Sequence, residues 1–246
     1  MTTFYIESQQ IDKETIHLMG DDVNHIKNVL RYQVGDEVFV CDERQERYAC
    51  KIMEFEKDAI VLHIETVISE STETRIEIDL YQGFPKSDKL EWVIQKGTEI
   101  GIKKFIPIIT DRVIVKLEEK NESKKIERWK KIAKEAAVQS GRQAIPIIEN
   151  ARKLQNIIEN LAKYDIVIVP YECEKINTLK VALKSIDGEI KKVAIVIGPE
   201  GGFSDKDISI LKELNNMQLV TLGNRILRTE TAGIVTAANV IYELEE

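Results

Sequence analysis

Length, composition and charge set the first limits. The chain has 246 residues, of which 43% are hydrophobic and 31% charged, with a formal net charge of −7. These values are typical of a soluble globular protein, and the length is enough for two modest domains. The sequence contains no apolar segment of the roughly 20 residues needed to cross a bilayer. Its start lacks the basic flank and apolar core of a signal peptide. We therefore expect a cytoplasmic protein.

The cysteine spacing argues against two kinds of site, and the charge distribution indicates where a polyanion could bind. Cys41, Cys50 and Cys173 are odd in number and show no CxxC spacing, which argues against a disulfide framework or a cysteine zinc site. The first 72 residues hold 7 basic and 15 acidic residues, so the remainder is close to neutral. Within that remainder, residues 112–131 collect eight lysines and arginines that could bind a polyanion. Interleaved glutamates leave a solvated helix face as the alternative.

The first 72 residues predict a small, mostly β domain. A helix over residues 21–30 can be capped by Asp21 or Asp22 and places Val23, Ile26, Val29 and Leu30 on one face. β-Rich segments separated by charged turns then predict strands at 38–41, 48–55 and 59–66. The polar stretch 69–74 is a plausible linker.

From residue 75 onward, strands alternate with helices. The predicted strands are 76–82, 105–109, 164–169, 193–197 and 219–222. The predicted helices are 86–101, 123–140 with Ser123 as its cap, 204–215 and 231–244, and Ser204 with Asp207 forms a capping-box pattern. Such alternation predicts an α/β fold with a parallel sheet covered on both faces.

Two glycine-bearing stretches follow predicted strands near the C-terminus. Residues 197–202 (IGPEGG) form what we call the first glycine loop, and residues 222–227 (LGNRIL) form the second. Loops that follow parallel strands meet at one edge of the sheet, where α/β proteins bind ligands. Neither a GxxxxGK[ST] nor a GxGxxG phosphate motif is present. A nucleotide-phosphate loop and a purely structural turn remain the alternatives for the first glycine loop.

The second glycine loop adds apolar and charged side chains. Ile226 and Leu227 could pack against a flat heteroaromatic while loop amides bind its edge. Arg225, Arg228 and Glu230 follow at the predicted carboxyl end of a strand, where charges are well placed for chemistry. A structural ion-pair network is the alternative reading.

These residues carry a resemblance to a known family. IGPEGGFSDKD followed by LGNRILRTETA resembles the signature of the ribosomal RNA small subunit methyltransferase E family, within the SPOUT class. The segment KSDKLE with QKGTEIG, the segment QSGR with Pro146, and His25 with VLR are similar to further family motifs. The resemblance covers nearly the whole chain.

The resemblance implies a fold, a reaction and partners. The fold would be a PUA-like β domain over 1–72, followed over 73–246 by a SPOUT-type α/β domain with a C-terminal trefoil knot. The reaction would be methylation of N3 of a uridine in 16S rRNA of the small ribosomal subunit by a homodimer, with S-adenosylmethionine as methyl donor and no metal. The residues implied in donor binding are Pro170, Glu172, Ile197, Gly198, Pro199, Glu200, Gly202, Leu222, Gly223, Ile226 and Leu227.

Roles in catalysis and RNA binding follow from the same motifs. We expect Arg228 to stabilise negative charge on the uracil oxygens, and Glu230 to orient Arg228 or accept the N3 proton. All three histidines lie in the first domain, so a histidine base in the α/β domain is excluded. The residues expected to contact RNA are Arg31, Lys86, Lys89 and Arg142. A SPOUT enzyme acting elsewhere on RNA, or a non-catalytic RNA-binding or ribosome-assembly factor, remains the alternative.

Overall fold

The chain forms two compact units. The computed structural model describes residues 2–86, 88–113, 119–186 and 188–245, with only the backbone given for 119–121. The first unit comprises residues 1–73 together with 137–144, and the second comprises 74–136 and 145–246. Among the helices of the described ranges, none is long and apolar enough to cross a membrane.

The first unit is built on a six-stranded sheet. Its strands are β1 (Thr3–Ile6), β2 (Ile11–Asp12), β3 (Thr15–Met19), β4 (Glu37–Asp42), β5 (Arg47–Phe55) and β6 (Ala59–Ile68), in the order β1-β4-β5-β6-β3-β2. β1 pairs with β4 in parallel, and the other pairs are antiparallel. The three predicted strands are confirmed as β4, β5 and β6. The first three strands were not predicted because they are short and end in polar turns.

The predicted helix at 21–30 is helical throughout but changes its winding. Helix α1 (Asp21–Asn24) continues as a π-helical segment, His25–Leu30. Val23 and Ile26 are buried in the core of the unit, as their spacing predicts. Val29, by contrast, is 63% exposed, because a wider helical turn rotates it away from the core.

The second unit contains the predicted parallel sheet. Its strands are β7 (Glu77–Gly83), β8 (Lys104–Ile109), β9 (Ile147–Ile148), β10 (Arg152–Lys153), β11 (Ile166–Pro170), β12 (Lys192–Ile197) and β13 (Met217–Val220). The main order is β10-β8-β7-β12-β11-β13, β9 also pairs with β8, and every pair is parallel. The helices are α2 (Lys89–Glu99), α3 (Glu119–Ser140), α4 (Ile158–Leu161), α5 (Leu179–Lys184), α6 (Asp205–Leu211) and α7 (Thr229–Leu244).

Alternate residues of each strand face two separate cores. In β7, Ile78 and Leu80 belong to one buried cluster, together with side chains of α2, α3, α5 and α7. Tyr81 belongs to the other, which includes side chains of α4 and α6. This period of two, with apolar residues on both sides, is what a sheet covered on both faces requires.

Two boundaries differ from expectation. Helix α3 begins at Glu119, so Ser123 lies within the helix rather than at its N-cap. Residues 137–144, which we placed in the domain 73–246, belong to the first unit. The reason is local: the buried guanidinium of Arg142 is ion-paired with Glu73 at 2.5 Å, and the backbone N–H of Thr72 donates to the side-chain oxygen of Gln143.

Candidate active site

Three loops meet at the carboxyl edge of the sheet in the second unit. They follow the neighbouring strands β11, β12 and β13 and enclose a cleft with cavities of about 470 and 110 Å3. The cavities share Pro170, Glu172, Ile226 and Leu227, so they form one continuous site. The convergence of the two glycine loops is thereby confirmed. All eleven residues named for donor binding line this cleft: Pro170, Glu172, Ile197, Gly198, Pro199, Glu200, Gly202, Leu222, Gly223, Ile226 and Leu227.

Close backbone packing explains the glycines around the first loop. A Cβ on Gly83, the last residue of β7, would lie 2.4 Å from the backbone nitrogen of Pro199. Gly202 has a φ of +67°, and a Cβ there would lie 2.6 Å from a carboxylate oxygen of Glu172. Gly83 therefore requires glycine for space, because the clash is with backbone, and Gly202 favours glycine for its positive φ. The first glycine loop is held against the end of β7 by this packing.

The second glycine loop offers an apolar wall and available amides. Leu222 and Leu227 pack partly against the core, whereas Ile226 is 86% exposed. Within the described ranges, the backbone N–H groups of Ile226 and Leu227 have no hydrogen-bond partner. An apolar surface beside free backbone donors suits a flat heteroaromatic group with polar edges.

The first turn of α7 brings charge to the cleft. Arg228 is the N-cap residue, and its exposed guanidinium makes no ion pair with any side chain that the structure describes. Glu230 is different: its side chain is 15% exposed and lies 3.4 Å from the ammonium of Lys89. Lys89 also lies 3.1 Å from Glu200 in the first glycine loop. The expectation that Glu230 orients Arg228 is therefore wrong, because Glu230 is paired with Lys89 instead.

The ion pair between Lys89 and Glu200 favours the charged form of both groups. Hydrogen bonding to Glu200 raises the pKa of Lys89 above its usual value, and the charge of Glu230 adds to the effect. Burial opposes ionisation of Glu200. Its pKa is nevertheless lowered, because its own backbone N–H, the N–H of Lys86 and the Lys89 ammonium all donate to the carboxylate. One cation thus bridges two carboxylates from different loops.

Comparison with known proteins identifies the chain. The sequence matches the model of an RNA methyltransferase domain over residues 72–241 and that of an RNA methyltransferase PUA domain over residues 18–65. It is 36% identical to the ribosomal RNA small subunit methyltransferase E of Bacillus subtilis, over 100% of this chain and 98% of the relative. The chain belongs to the ribosomal RNA small subunit methyltransferase E family.

Solved structures agree with this family assignment. A ribosomal RNA small subunit methyltransferase E from Neisseria gonorrhoeae, bound to S-adenosylmethionine, is 25% identical with a TM-score of 0.82 over 98% of this chain and 96% of that one. A protein from Legionella pneumophila, solved in complex with bound S-adenosylmethionine, is 28% identical, with the same TM-score and coverage. The fold of this family member is therefore shared with proteins that bind a methyl donor.

The residues expected to contact RNA lie in unlike surroundings. Arg31 is exposed, with a φ of 55° just after the π-helical segment. The side chain of Lys86 is also exposed, while its backbone N–H donates to Glu200. The ammonium of Lys89 is ion-paired with Glu200 and Glu230. Arg142 is only 4% exposed and ion-paired with Glu73. Because its guanidinium is buried, we do not retain Arg142 among the RNA contacts.

Some cations of the basic segment 112–131 form ion pairs with glutamates. Arg128 lies 2.7 Å from Glu91, and Lys130 lies 3.1 Å from Glu127. Lys116 lies outside the described residues, and the side chain of Lys120 is likewise not described. The paired cations agree with a solvated helix face, the alternative given above.

Three residues at the site were not singled out from the sequence. Gln82 and Thr229 are buried polar residues, 0% and 7% exposed, and Gly83 contacts the first glycine loop. Of these, only Gly83 carried a recognisable signal, as a glycine directly after a predicted strand. Gln82 and Thr229 can be recognised as site residues only in the folded structure, where the ends of three strands lie together.

Proposed function

We propose that this chain methylates N3 of a uridine in the 16S rRNA of the small ribosomal subunit, with S-adenosylmethionine as methyl donor. The observation that carries the proposal is the cleft between the two glycine loops, with the guanidinium of Arg228 at its edge and without an ion pair among the described side chains. Family membership and the donor-bound structures of relatives support it. We place this activity in the cytoplasm, where ribosomal subunits are available.

The two glycine loops would hold the donor. The free amides of Ile226 and Leu227 and the exposed side chain of Ile226 fit the edge and face of an adenine. When bound, S-adenosylmethionine supplies a methyl group already activated by its sulfonium. The protein therefore mainly has to align the acceptor and exclude water.

Arg228 and Glu230 would handle the charge and the proton of uracil. N3 is nucleophilic only after it loses its proton, and the resulting negative charge spreads over the flanking oxygens. The guanidinium of Arg228 can donate to those oxygens. Glu230 is the proposed proton acceptor, because it follows Arg228 closely in the first turn of α7. The ammonium of Lys89, which lies 3.4 Å from Oε2 of Glu230, holds this carboxylate in place.

We also propose the trefoil knot and the homodimer that the family resemblance implies. The backbone N–H of Thr221 donates to Asn177, and the side chain of Asn177 donates to Leu219, so the segment before α5 crosses the end of β13. The chain then returns to β12, where Thr229 contacts Gly198. This crossing supports a threaded C-terminus. Exposed Val181 and Tyr242, on the packed helices α5 and α7, support a subunit interface.

One experiment tests the reaction and separates the alternatives. Small subunits lacking the modification are incubated with the purified chain and S-adenosylmethionine, and the digested 16S rRNA is analysed by mass spectrometry. Appearance of one 3-methyluridine is the expected result. A methylated ribose or another methylated base supports the alternative of a different RNA position. Absence of both methylation and donor binding supports a non-catalytic RNA-binding or assembly factor.

A further inference from the structure

A chain of two hydrogen bonds, one buried and one partly buried, joins three elements at the cleft. The side-chain amide of Gln82, near the end of β7, donates to the hydroxyl of Thr229 at 2.7 Å. That hydroxyl donates in turn to the carbonyl of Gly198 at 2.5 Å. A hydroxyl has one proton to give, so Thr229 must accept from Gln82 if it donates to Gly198. The direction of the relay is therefore fixed.

The side-chain amide oxygen of Gln82 lies against helix α7. Its Oε1 is buried without a hydrogen-bond partner among the described residues, and it lies 3.2 Å from where a Cβ of Gly233 would stand. A buried amide oxygen without a partner costs free energy of folding. The hydrogen bond that Nε2 donates to Thr229 offsets part of that cost. Gly83 packs closely against Gly198 and Pro199, so the first glycine loop cannot move closer to Gln82 to replace this hydrogen bond.

The relay connects the two halves of the site. Gly198 belongs to the first glycine loop, whereas Thr229 is the first residue of α7 and stands between Arg228 and Glu230. Any shift of the loop that breaks the bond to Thr229 leaves a carbonyl without its donor. The position of the loop and the position of the first turn of α7 are thus tied through one hydroxyl.

We infer that Gln82 and Thr229 are positioning residues, which set the first glycine loop for the methyl donor and align it with the turn that carries Arg228. This inference rests on the proposed function and adds two residues to it. It predicts that donor affinity depends on the hydroxyl of Thr229 rather than on the volume of its side chain.

Three variants on one helix test the inference. Thr229→Val keeps the shape and removes the hydroxyl, and Thr229→Ser keeps the hydroxyl. Thr236→Val makes the same change at another buried position of α7, where the hydroxyl donates to the carbonyl of Ala232 in the same helix. The dissociation constant for S-adenosylmethionine is measured by calorimetry, and thermal unfolding is followed in parallel. We expect about a tenfold weaker constant for Thr229→Val, from the loss of one buried hydrogen bond. Thr229→Ser and Thr236→Val should bind almost as the wild type does.

The outcomes separate the relay from the proposed function. Equal donor affinity in Thr229→Val and the wild type overturns the relay and leaves the proposed function standing. A wild-type chain that does not bind S-adenosylmethionine overturns the proposed function itself. Equal weakening by Thr229→Val and Thr236→Val means that loss of helix stability is the cause, which also overturns the relay. If Thr229→Val does not fold, Gln82→Met decides, because it removes the donor to Thr229 while keeping the length of the side chain.

Discussion

The ammonium of Lys89 lies 3.4 Å from a carboxylate oxygen of Glu230, although the two residues are far apart in the sequence. Lys89 begins α2, and Glu230 lies in the first turn of α7. The same ammonium contacts Glu200 of the first glycine loop. Lys89 is thus less available for an RNA phosphate than its motif suggested, and Glu230 is left independent of Arg228.

Replacing Lys89 tests which of these roles it has. We expect Lys89→Met to reduce the turnover of methylation and to have little effect on the melting temperature, because partly exposed ion pairs contribute about 1 kcal/mol or less. Single-turnover methylation and thermal unfolding provide the two measurements. If Lys89 contacts an RNA phosphate instead, the variant should keep its turnover at saturating RNA. Its RNA binding should then be weaker and less dependent on salt.

Arg228 should affect the chemical step and not donor binding. Removal of one preorganised donor to a developing negative charge typically costs about 10²–10³ in rate, so we expect a loss of that size for Arg228→Ala. The dissociation constant for S-adenosylmethionine should stay near the wild-type value. Arg152→Ala is the control, because Arg152 is an exposed arginine of the same unit that does not line the cleft. Full methylation by Arg228→Ala would end the proposed role.

Much of this site was predictable, because its signals are local. Glycines after β-rich runs placed both loops at a sheet edge, and the pattern at Ser204 and Asp207 matches the capping box observed at α6. What could not be predicted depends on long-range packing. The partner of Glu230 and the burial of Arg142 each depend on residues distant in the sequence. Neither position carries a periodic signal that reveals its partner.

Gly83 provides a steric test of how the first glycine loop is seated. A Cβ at this position would meet Gly198 and Pro199 backbone atoms at 2.4–2.6 Å, so Gly83→Ala must displace the loop. We expect donor affinity to fall by about tenfold or more, in line with the 1–3 kcal/mol typical of overpacking. A Cβ on Gly201 would make only an ordinary 3.5 Å contact with Arg112. Gly201→Ala should therefore weaken donor binding far less than Gly83→Ala. Equal losses of donor affinity in calorimetry would contradict the packing of the first glycine loop against Gly83.

Arg31 and Lys86 should contribute to RNA binding in a salt-dependent way. Each lost phosphate contact lowers the slope of log affinity against log salt by about 0.7–0.9. We expect such a decrease for Arg31→Ala and for Lys86→Ala in filter binding with 16S rRNA fragments. Arg142→Ala should behave differently, since breaking a buried ion pair typically costs about 3–5 kcal/mol of stability. An unchanged slope in the first two variants would remove them from the RNA surface.

Asp79 should make stability depend on pH in the direction opposite to most carboxylates. Burial raises its pKa above the ordinary 3.8, although a hydrogen bond from Tyr164 and the charges of Lys104 and Lys192 oppose the shift. The folded protein therefore holds this proton more tightly than the unfolded chain. Its stabilising effect is present at low pH and is lost as the pH rises from about 4 through the raised pKa.

The Asp79→Asn variant lacks this dependence. Its melting temperature relative to that of the wild type should increase between about pH 4.5 and pH 8, whatever the absolute effect of the new amide. Glu77→Gln is the control with opposite sign. A hydrogen bond from Lys103 holds the pKa of Glu77 below its usual value, so the wild-type advantage over Glu77→Gln should shrink as the pH falls. Parallel pH profiles for the two variants would show that burial of Asp79 does not govern its ionisation.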